Sequence, residues 1–493
     1  MIDNTVDYTP ANSKDSSTII GGTAEISKLS IIVKGGAEIV LRGQFSNITI
    51  EEDIFASSIA GSITIVDTAG FLENFELRGG EIISLKVIRP DTGDIIIWRE
   101  DLVVHKISKS EVDLMNLHST YDLYFVSRTH VRSLKKSLFK SYSGMTYVDA
   151  VKNIYAEMSP NDLIMEDPKL TLTKPFISTG LMPHKAIDFL AQRSCVKNKF
   201  YVFFERLIPV TGTKSTGEAF AGSHYFGSIE FLIEQAKNET IKTIYFLPKL
   251  DSKTENGSII RTPIFEREEN FNHVQAMLLG FYNTTITTID PISRTHSQKK
   301  FGYTNKDKLT DDFYENKLID DYNIFSTYND FAGEIPGRKL IVSSVNDTGD
   351  RSAWMPNHIN GQVSKSLFKI KVEIQGGTND IGVGNIVNFF VPSQSARVGD
   401  AGNPFPPSDD IHSGRYLVTG VDHRLRDGEY IKTLYLSRGS SPIDQNQLYN
   451  KNDTIDFAQT PDTIKKSLGD LRFAEDLDNS SIVANWRTNR IPT

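Results

Sequence analysis

The sequence predicts a mainly β protein with an α+β insertion, organised as two related antiparallel β-modules of barrel or sandwich type with extended polar arms at both ends. Three observations predict it. Short β-branched and aromatic runs alternate with turn formers over residues 26–130 and again over 366–439. The stretch between carries a helical period instead. The same four strand signatures recur in the same order in the two β regions. At 493 residues the chain exceeds one ordinary core, and roughly 100–200 residues per domain gives about three or four domains.

Residues 1–25 are polar and rich in Ser and Thr, and read as an arm. In 26–130 the runs "NITIEEDIF", "GSITIVD", "EIISLKVI", "DIIIWREDLVVHKI" and "YDLYFVSR" alternate with period two. They are divided by Gly79-Gly80 and by Pro90-Asp91-Thr92-Gly93. Proline pre-sets φ and glycine accepts positive φ at such turns.

Residues 131–255 change pattern. "GMTYVDAVKNIYAEM" places Val148, Val151, Ile154, Tyr155 and Met158 on one helical face. "MPHKAIDFLAQRSC" begins near Pro183, where a missing N–H costs nothing, and turns Ile187, Leu190 and Ala191 inward. "KFYVFFERL", "GSIEFLI" and "KTIYFLP" return to strands. Residues 256–365 are a mixed connection, with a charged helical or irregular stretch at 302–335. The β pattern resumes over 366–439. Residues 440–493 are polar with scattered Leu468, Leu471, Phe473, Ile482 and Trp486, too few to bury a core, and read as an arm that needs a partner surface.

The repeat matches "GSITIVD", "GEIISL", "DLVVHKI" and "LYFVSR" with "LFKIKVEI", "GNIVNF", "YLVTGVD" and "TLYLSR". From Gly80 to Arg128 is 48 positions and from Gly384 to Arg438 is 54. The excess falls in the loop "SQSARVGDAGNPFPPSDDIHSG". Duplication explains the shared order better than coincidence does.

Composition narrows the function. Net charge is −8, against a dedicated nucleic-acid binder, which needs Lys and Arg to displace counterions from phosphate. The single cysteine, Cys195, can form no internal disulfide and reads as a small core residue. The N-terminal stretch lacks the basic start and apolar centre of a secretion signal. No run approaches the roughly 18 apolar residues of a membrane helix. The expectation is a soluble protein without membrane insertion, assembled in a reducing cytoplasm.

No motif carries chemistry. "VDTAG" at Asp67 matches the Mg²⁺-linked turn of a GTPase, but no Gly-Lys-Ser or Gly-Lys-Thr supplies a phosphate cradle, so it reads as a strand end. "IQGGTNDIGVGN" (374–385) is glycine-rich like a dinucleotide loop but is flanked by strands, which favours a hairpin connection. The two Asp-Thr-Gly triplets, at Asp91 and Asp347, sit among charges and not in the apolar setting of an aspartic-protease dyad. Ten scattered histidines show no metal-ligand spacing. No catalytic, cofactor-binding or metal residue is assigned, and no cofactor is expected. Phe405, in the Pro-rich loop, and Trp486, in the C-terminal arm, are the candidate partner contacts, as aromatic anchors in polar segments.

Four segments, in this order, carry a family likeness: "IAGSITIVDTAGFLENFELRGGEIISLKV" with its G-E-x-x-x-L step, "PHKAIDFLAQRSCVKNKFYVFFE", "MLLGFYNTTITTIDPISRTHSQKKF" and "IGVGNIVNFFVPS". Together the chain resembles the baseplate hub protein of contractile-tailed bacteriophages. The resemblance implies tube-like modules and a homotrimer whose six modules form a pseudo-sixfold ring. That ring joins a hexameric tail tube, or its initiator, to a trimeric central spike. It also implies contacts to other baseplate proteins through the terminal arms, passage of DNA without specific binding, a place in the virion tail baseplate, and assembly in the host cytoplasm. Two similar but unequal faces can absorb such a symmetry mismatch. Other readings stay open: a receptor- or glycan-binding β-protein, to which the widely spaced Trp98, Trp354 and Trp486 lend little; a hydrolase; and the hub of a type VI secretion spike, which typically continues into a β-helical repeat not seen after Arg438.

Overall fold

Branched residues alternating with polar ones favour strands that bury one face. In the computed structural model of the chain they do so in strands such as β4, β7 and β20, whereas β21 and the first half of β22 are buried on both faces. The structure describes residues 24–441 except 42, 69, 76, 91–92, 94, 114–117, 160–162, 167–175, 195–198, 208–222, 237–240, 247–258, 271–272, 282, 302–315, 318–337, 344–350, 367, 377–380, 393–408, 410 and 427. Cys195, Asp91, Asp347, Phe405, Trp486 and most of the 302–335 stretch therefore lie outside the described residues.

The first module comprises β1 (Glu25–Ile32), β2 (Glu38–Val40), β3 (Phe45–Asp53), β4 (Ala60–Asp67), the single-turn α1 (Phe71–Asn74), β5 (Ile82–Ile88), the long β6 (Ile95–Asp113) and β7 (His118–Ser127). All its pairings are antiparallel, in the order β3-β4-β7-β6-β5-β1-β2. Asp67 closes β4 and Gly70, at φ 66°, leads into α1, so the "VDTAG" stretch is a strand end as its sequence suggests.

The insertion comprises α2 (Arg128–Leu134), β8 (Leu138–Tyr142), α3 (Tyr147–Ala156), β9 (Leu163–Met165), β10 (Phe176–Leu181), α4 (Pro183–Arg193), β11 (Tyr201–Arg206), β12 (Ser223–Ser228) and α5 (Ile229–Ala236). Thr146 caps α3 by accepting from the Asp149 N–H. Pro183 opens α4. All the residues expected to face inward on these two helices are buried.

Next come β13 (Lys242–Phe246), β14 (Ile259–Thr262), β15 (Ile264–Asn270), α6 (His273–Leu279), β16 (Thr284–Asp290), β17 (Thr295–Phe301), β18 (Asn316–Lys317), β19 (Arg338–Ser343) and α7 (Arg351–Ser366). The final strands are β20 (Phe368–Gln375), β21 (Ile386–Phe390), β22 (Gly414–Arg426), β23 (Glu429–Arg438) and β24 (Ser440–Ser441). The second module is ordered β15-β20-β23-β22-β21-β13, with β14 beyond β13. Three differences from the sequence reading appear. "GSIEFLI" is not a strand: β12 ends at Ser228 and α5 follows, burying Ile229, Leu232, Ile233 and Ala236 at helical spacing. The "KTIYFLP" strand, β13, lies in this sheet, parallel to β21. The glycine-rich 374–385 connection is a crossover and not a hairpin, because β20 and β21 are separated by β23 and β22.

The two modules share a plan. The run β4-β7-β6-β5 corresponds to β20-β23-β22-β21, flanked by β3 and β15 on one side and by β1 and β13 on the other. The step into the fourth strand is also the same. Gly80, at φ 96°, donates to the Val104 carbonyl at 2.7 Å, and Val104 donates to the Glu81 carbonyl at 2.9 Å. Gly384, at φ 82°, donates to the Val418 carbonyl at 2.8 Å, and Val418 donates to the Asn385 carbonyl at 2.9 Å. In each copy a register shift follows, between Val104 and Lys106 and between Val418 and Gly420. In each the residue after the glycine caps the preceding turn: Glu81 accepts from the Arg78 N–H, and Asn385 from the Gly382 N–H, both at 2.9 Å.

Candidate functional site

The modules join through β3 and β22, which pair antiparallel from Asp53 opposite Gly420 to Asn47 opposite Arg426. This seam makes one sheet of the two modules, and period-two alternation then carries one face across both. Arg424 stands opposite Thr49, Thr49 opposite Ser62, Ser62 opposite Tyr124, and Tyr124 opposite Lys106. The next row runs Arg426, Asn47, Thr64, Asp122. On the other side of β22, Thr433 meets Asp422 and Glu373.

The face is polar and laced together. Thr49 and Ser62 hydroxyls lie 2.7 Å apart, Thr64 donates to Asp122 at 2.8 Å, and Tyr435 donates to Asp422 at 2.7 Å. Lys371 pairs with Glu266 at 3.2 Å. Charges of both signs alternate along it, so no cationic stripe forms. Burial, and then the neighbouring Asp422, push the Glu51 carboxyl above its ordinary range; burial also raises Asp53, against the Phe55 N–H and Lys369.

Beneath the seam lies a set of buried polar groups. Glu52 points inward from β3 and meets His423 of β22 at 2.6 Å, and His423 meets the Tyr430 hydroxyl at 2.7 Å. Burial pushes Glu52 up, but His423 and Arg206 outweigh it and hold the carboxyl below its ordinary range. Burial lowers His423 and raises Tyr430. The ring is therefore neutral, donating Nε2–H to Glu52 and accepting at Nδ1 from Tyr430.

β11 connects this set to the insertion. Its residues are buried on both faces. Val202 and Phe204 enter the second module's core, while Tyr201 and Phe203 enter the core of α3 and α4. The last two residues continue the alternation in charge. Glu205 accepts from Arg99 of β6 at 2.8 Å and from the Ile59 N–H at 3.2 Å, both in the first module. Arg206 points the other way and donates to Asn385 of the second module at 2.6 Å. Burial alone would lower Arg99, but Asp101 and Glu205 outweigh it and hold the guanidinium charged.

Glu–His–Tyr and Arg–Glu–His sets can serve catalysis, but here His423 and His224 are 0% exposed and Glu205 is 1% exposed. Sealed from solvent, they act as cross-links. Among the described residues no group of three or more His, Cys, Asp or Glu is disposed to hold a metal ion. Phe405 and Trp486, the two expected partner contacts, fall outside the described residues. The clamp residues Glu52, Arg99, Glu205, Arg206 and His423 were not singled out from sequence. One signal was present: Glu52 follows Ile48 and Ile50 at the inward parity of its strand, and His423 stands between Val421 and Leu425 at the same parity of β22.

No protein-family model and no curated protein sequence matches the chain. Among solved structures the chain is similar to a tail protein from Neisseria meningitidis, at 13% identity and TM-score 0.47, covering 83% of this chain and 96% of that one. It is similar to the 43 kDa tail protein of a Shewanella oneidensis prophage, at 11% identity and TM-score 0.48, covering 84% and 99%. It is also similar to an Escherichia coli component of the type VI secretion system, at 10% identity and TM-score 0.40, covering 85% and 79%. These are likenesses of outline and carry no function from one protein to another.

Proposed function

We propose that the chain is a structural protein of a phage tail, the trimeric hub of a contractile-tail baseplate. Three copies would contribute six β-modules to a ring that meets a hexameric tube on one side and a threefold spike on the other. The observation that carries this reading is the duplication. Two modules with one strand order, one glycine step and one register shift occupy a single chain and are fused where β3 pairs with the C-terminal half of β22. Pairing at β3–β22 covers the edge of β3 and the C-terminal half of β22 beyond its pairing with β21, backbone that would otherwise invite aggregation.

The polar face of the joined sheet suits the lumen of such a ring. Its alternating charges would let DNA pass without a cationic surface to hold phosphates. The role is structural and not catalytic, which the sealing of the titratable sets supports. The division into arms 1–25 and 440–493, a first module over 26–130, an insertion beginning at 131 and a second module that takes in β13, β14 and β15 with the strands of 366–439 belongs to the same proposal, as do the spike, tube and baseplate partners and a place in the virion tail.

End-on imaging of the purified chain tests the reading. Particles with six lobes around a pore are expected, and duplex DNA should not be retained at physiological salt. Particles without a pore, or tight DNA binding, would overturn it.

A further inference from the structure

We infer that chains join through a second copy of the internal seam: the outer edge of β15 in one chain pairs antiparallel with the C-terminal part of β6, from Lys106 to Asp113, in the next. The inference rests on the ring reading above and names the strands that build the ring. Its starting point is the seam within the chain, where β3 of the first module pairs with β22 of the second over Gly420 to Arg426. In the shared plan β3 corresponds to β15 and β22 to β6. The chain therefore carries a second strand of each kind. Among the described residues no strand pairs with the side of β15 away from β20. None pairs with Lys106–Asp113 on the side away from β7, since the pairing of β6 with β5 stops at Val103.

The correspondence holds row by row. At the two valine steps Phe125 of β7 faces Val104, and Leu436 of β23 faces Val418. One row along, Thr49, Ser62, Tyr124 and Lys106 stand in line in the first module, and Glu266, Lys371, Tyr435 and Gly420 in the second. Four rows further, Glu111 faces Thr120 and Arg424 faces Ile431. The sequence agrees: "ITIEED" (48–53) and "FEREEN" (265–270) align without a gap. Within the chain Arg424 stands opposite Thr49. Between chains the same register sets Glu111 opposite Glu266.

Charges and bulges guard a free strand edge. β15 is rich in charge and shifts register between Arg267 and Glu269, and β6 shifts between Ser108 and Glu111. Either strand alone is accounted for as a guarded edge. The pair is not, because β3 also ends in Glu51, Glu52 and Asp53 and is nonetheless paired. Ile264 is held locally: its N–H donates to the Thr262 hydroxyl at 3.2 Å, and that hydroxyl donates to its carbonyl at 2.7 Å. Pairing between chains therefore starts at Phe265. Like charges directly opposite are unfavourable, and Lys371, 3.2 Å from Glu266, offsets this one. A strand on one module and its acceptor on the other make a head-to-tail contact, the kind that closes into a ring when the rotation allows.

Engineered cysteines test the pairing, because directly opposite antiparallel residues lie about 4.5–5.5 Å apart at Cα, within the roughly 4.4–6.8 Å that a disulfide spans. In a Cys195→Ser chain, Thr49→Cys with Arg424→Cys should oxidise within one chain, which calibrates the distance. Glu111→Cys in one chain and Glu266→Cys in another, co-expressed, should give a covalent dimer, and both in one chain a closed covalent trimer. The solution mass of the unoxidised protein, measured separately, tells this inference from the ring reading. A trimer that forms no cross-link between positions 111 and 266 would overturn the pairing and leave the ring standing. Cross-linked chains of open-ended length would uphold the pairing and overturn the ring. A monomer that forms no cross-link would overturn both. Hydrogen exchange on the unsubstituted chain reads the same contact without cysteines. Amides over 106–113 and 265–270 should exchange roughly tenfold or more slowly in the trimer than in diluted monomer, and equal exchange would overturn the pairing.

Discussion

The turns that open β5 and β21 are copies of one device set in different surroundings. Both use a left-handed glycine, both pair with a valine on the next strand, and both are capped by the side chain that follows the glycine. Around Gly80, however, the space beside a Cβ is open, whereas a Cβ on Gly384 would lie 2.9 Å from the Phe204 ring and 3.4 Å from Leu232. Glu81 serves its own turn, while Asn385 also holds Arg206 of the insertion. Equal backbones have thus acquired unequal neighbours. The insertion is what makes them unequal, since Phe204, Arg206 and Leu232 all belong to it. A duplicated module whose copies differ in what they touch can present two similar but distinct faces to its surroundings.

Breaking the insertion's grip on the first module should have the largest effect. Arg99→Met leaves Glu205 buried without its partner, and removing one member of a buried pair costs about 3–5 kcal/mol. Urea unfolding should show that loss, and the Arg99→Met, Glu205→Leu double variant should recover much of it.

The next effect is pH-dependent and lies within the insertion. Burial first, then neighbouring charge, pushes His184 and His224 down to about 3. An unfolded histidine titrates near 6.5, so the unfolded chain binds more protons between those values, and their contribution to stability is lost as pH falls through that window. Burial raises Asp188 and Glu230 to about 7, which gives an opposite slope between about 4 and 7. His184 separates the two. Both its ring nitrogens lack a hydrogen-bond partner, so His184→Leu should leave stability near neutral pH within about 1 kcal/mol and raise it by about 2–3 kcal/mol at pH near 4. Thermal unfolding across pH reads this directly, and equal acid sensitivity in the variant would remove His184 from the account.

The glycine pair sharpens the comparison itself. Gly80→Ala should cost about 1–2 kcal/mol, the strain of a left-handed alanine. Gly384→Ala should cost about 1–3 kcal/mol more, because Phe204 must also move. Equal losses would mean that the surroundings of the two copies do not differ in energy. The smallest expected effect is the difference between Asn385→Ala and Glu81→Ala. The former should cost about 1 kcal/mol more, because it also removes a half-buried acceptor from Arg206.

Much of this fold was legible in the sequence, because strand parity and helix period are local. The helical faces of α3 and α4, the proline opening α4, the end of β4 and the order of the repeated strands all follow from residues a few positions apart. What was not legible depends on pairing at long range. β20 and β21 flank a glycine-rich connection that looks like a hairpin, yet β22 and β23, later in the chain, stand between them. β13 reads as a strand but carries no mark of the sheet it joins. The clamp was half legible: a glutamate at the inward parity of β3 announces a buried charge, but nothing near it in sequence names His423 as the partner. Glu205 and Arg206 look like an ordinary charged strand end, and only the packing of three cores around β11 turns them in opposite directions.

The claim that two unequal modules per chain serve a ring of three chains is tested most directly by solution mass. Light scattering of the purified 55.2 kDa chain over a range of concentrations, alone and with spike or tube protein, should give a stable species near three times the chain mass. A monomer at every concentration, in the presence and absence of those proteins, would contradict it.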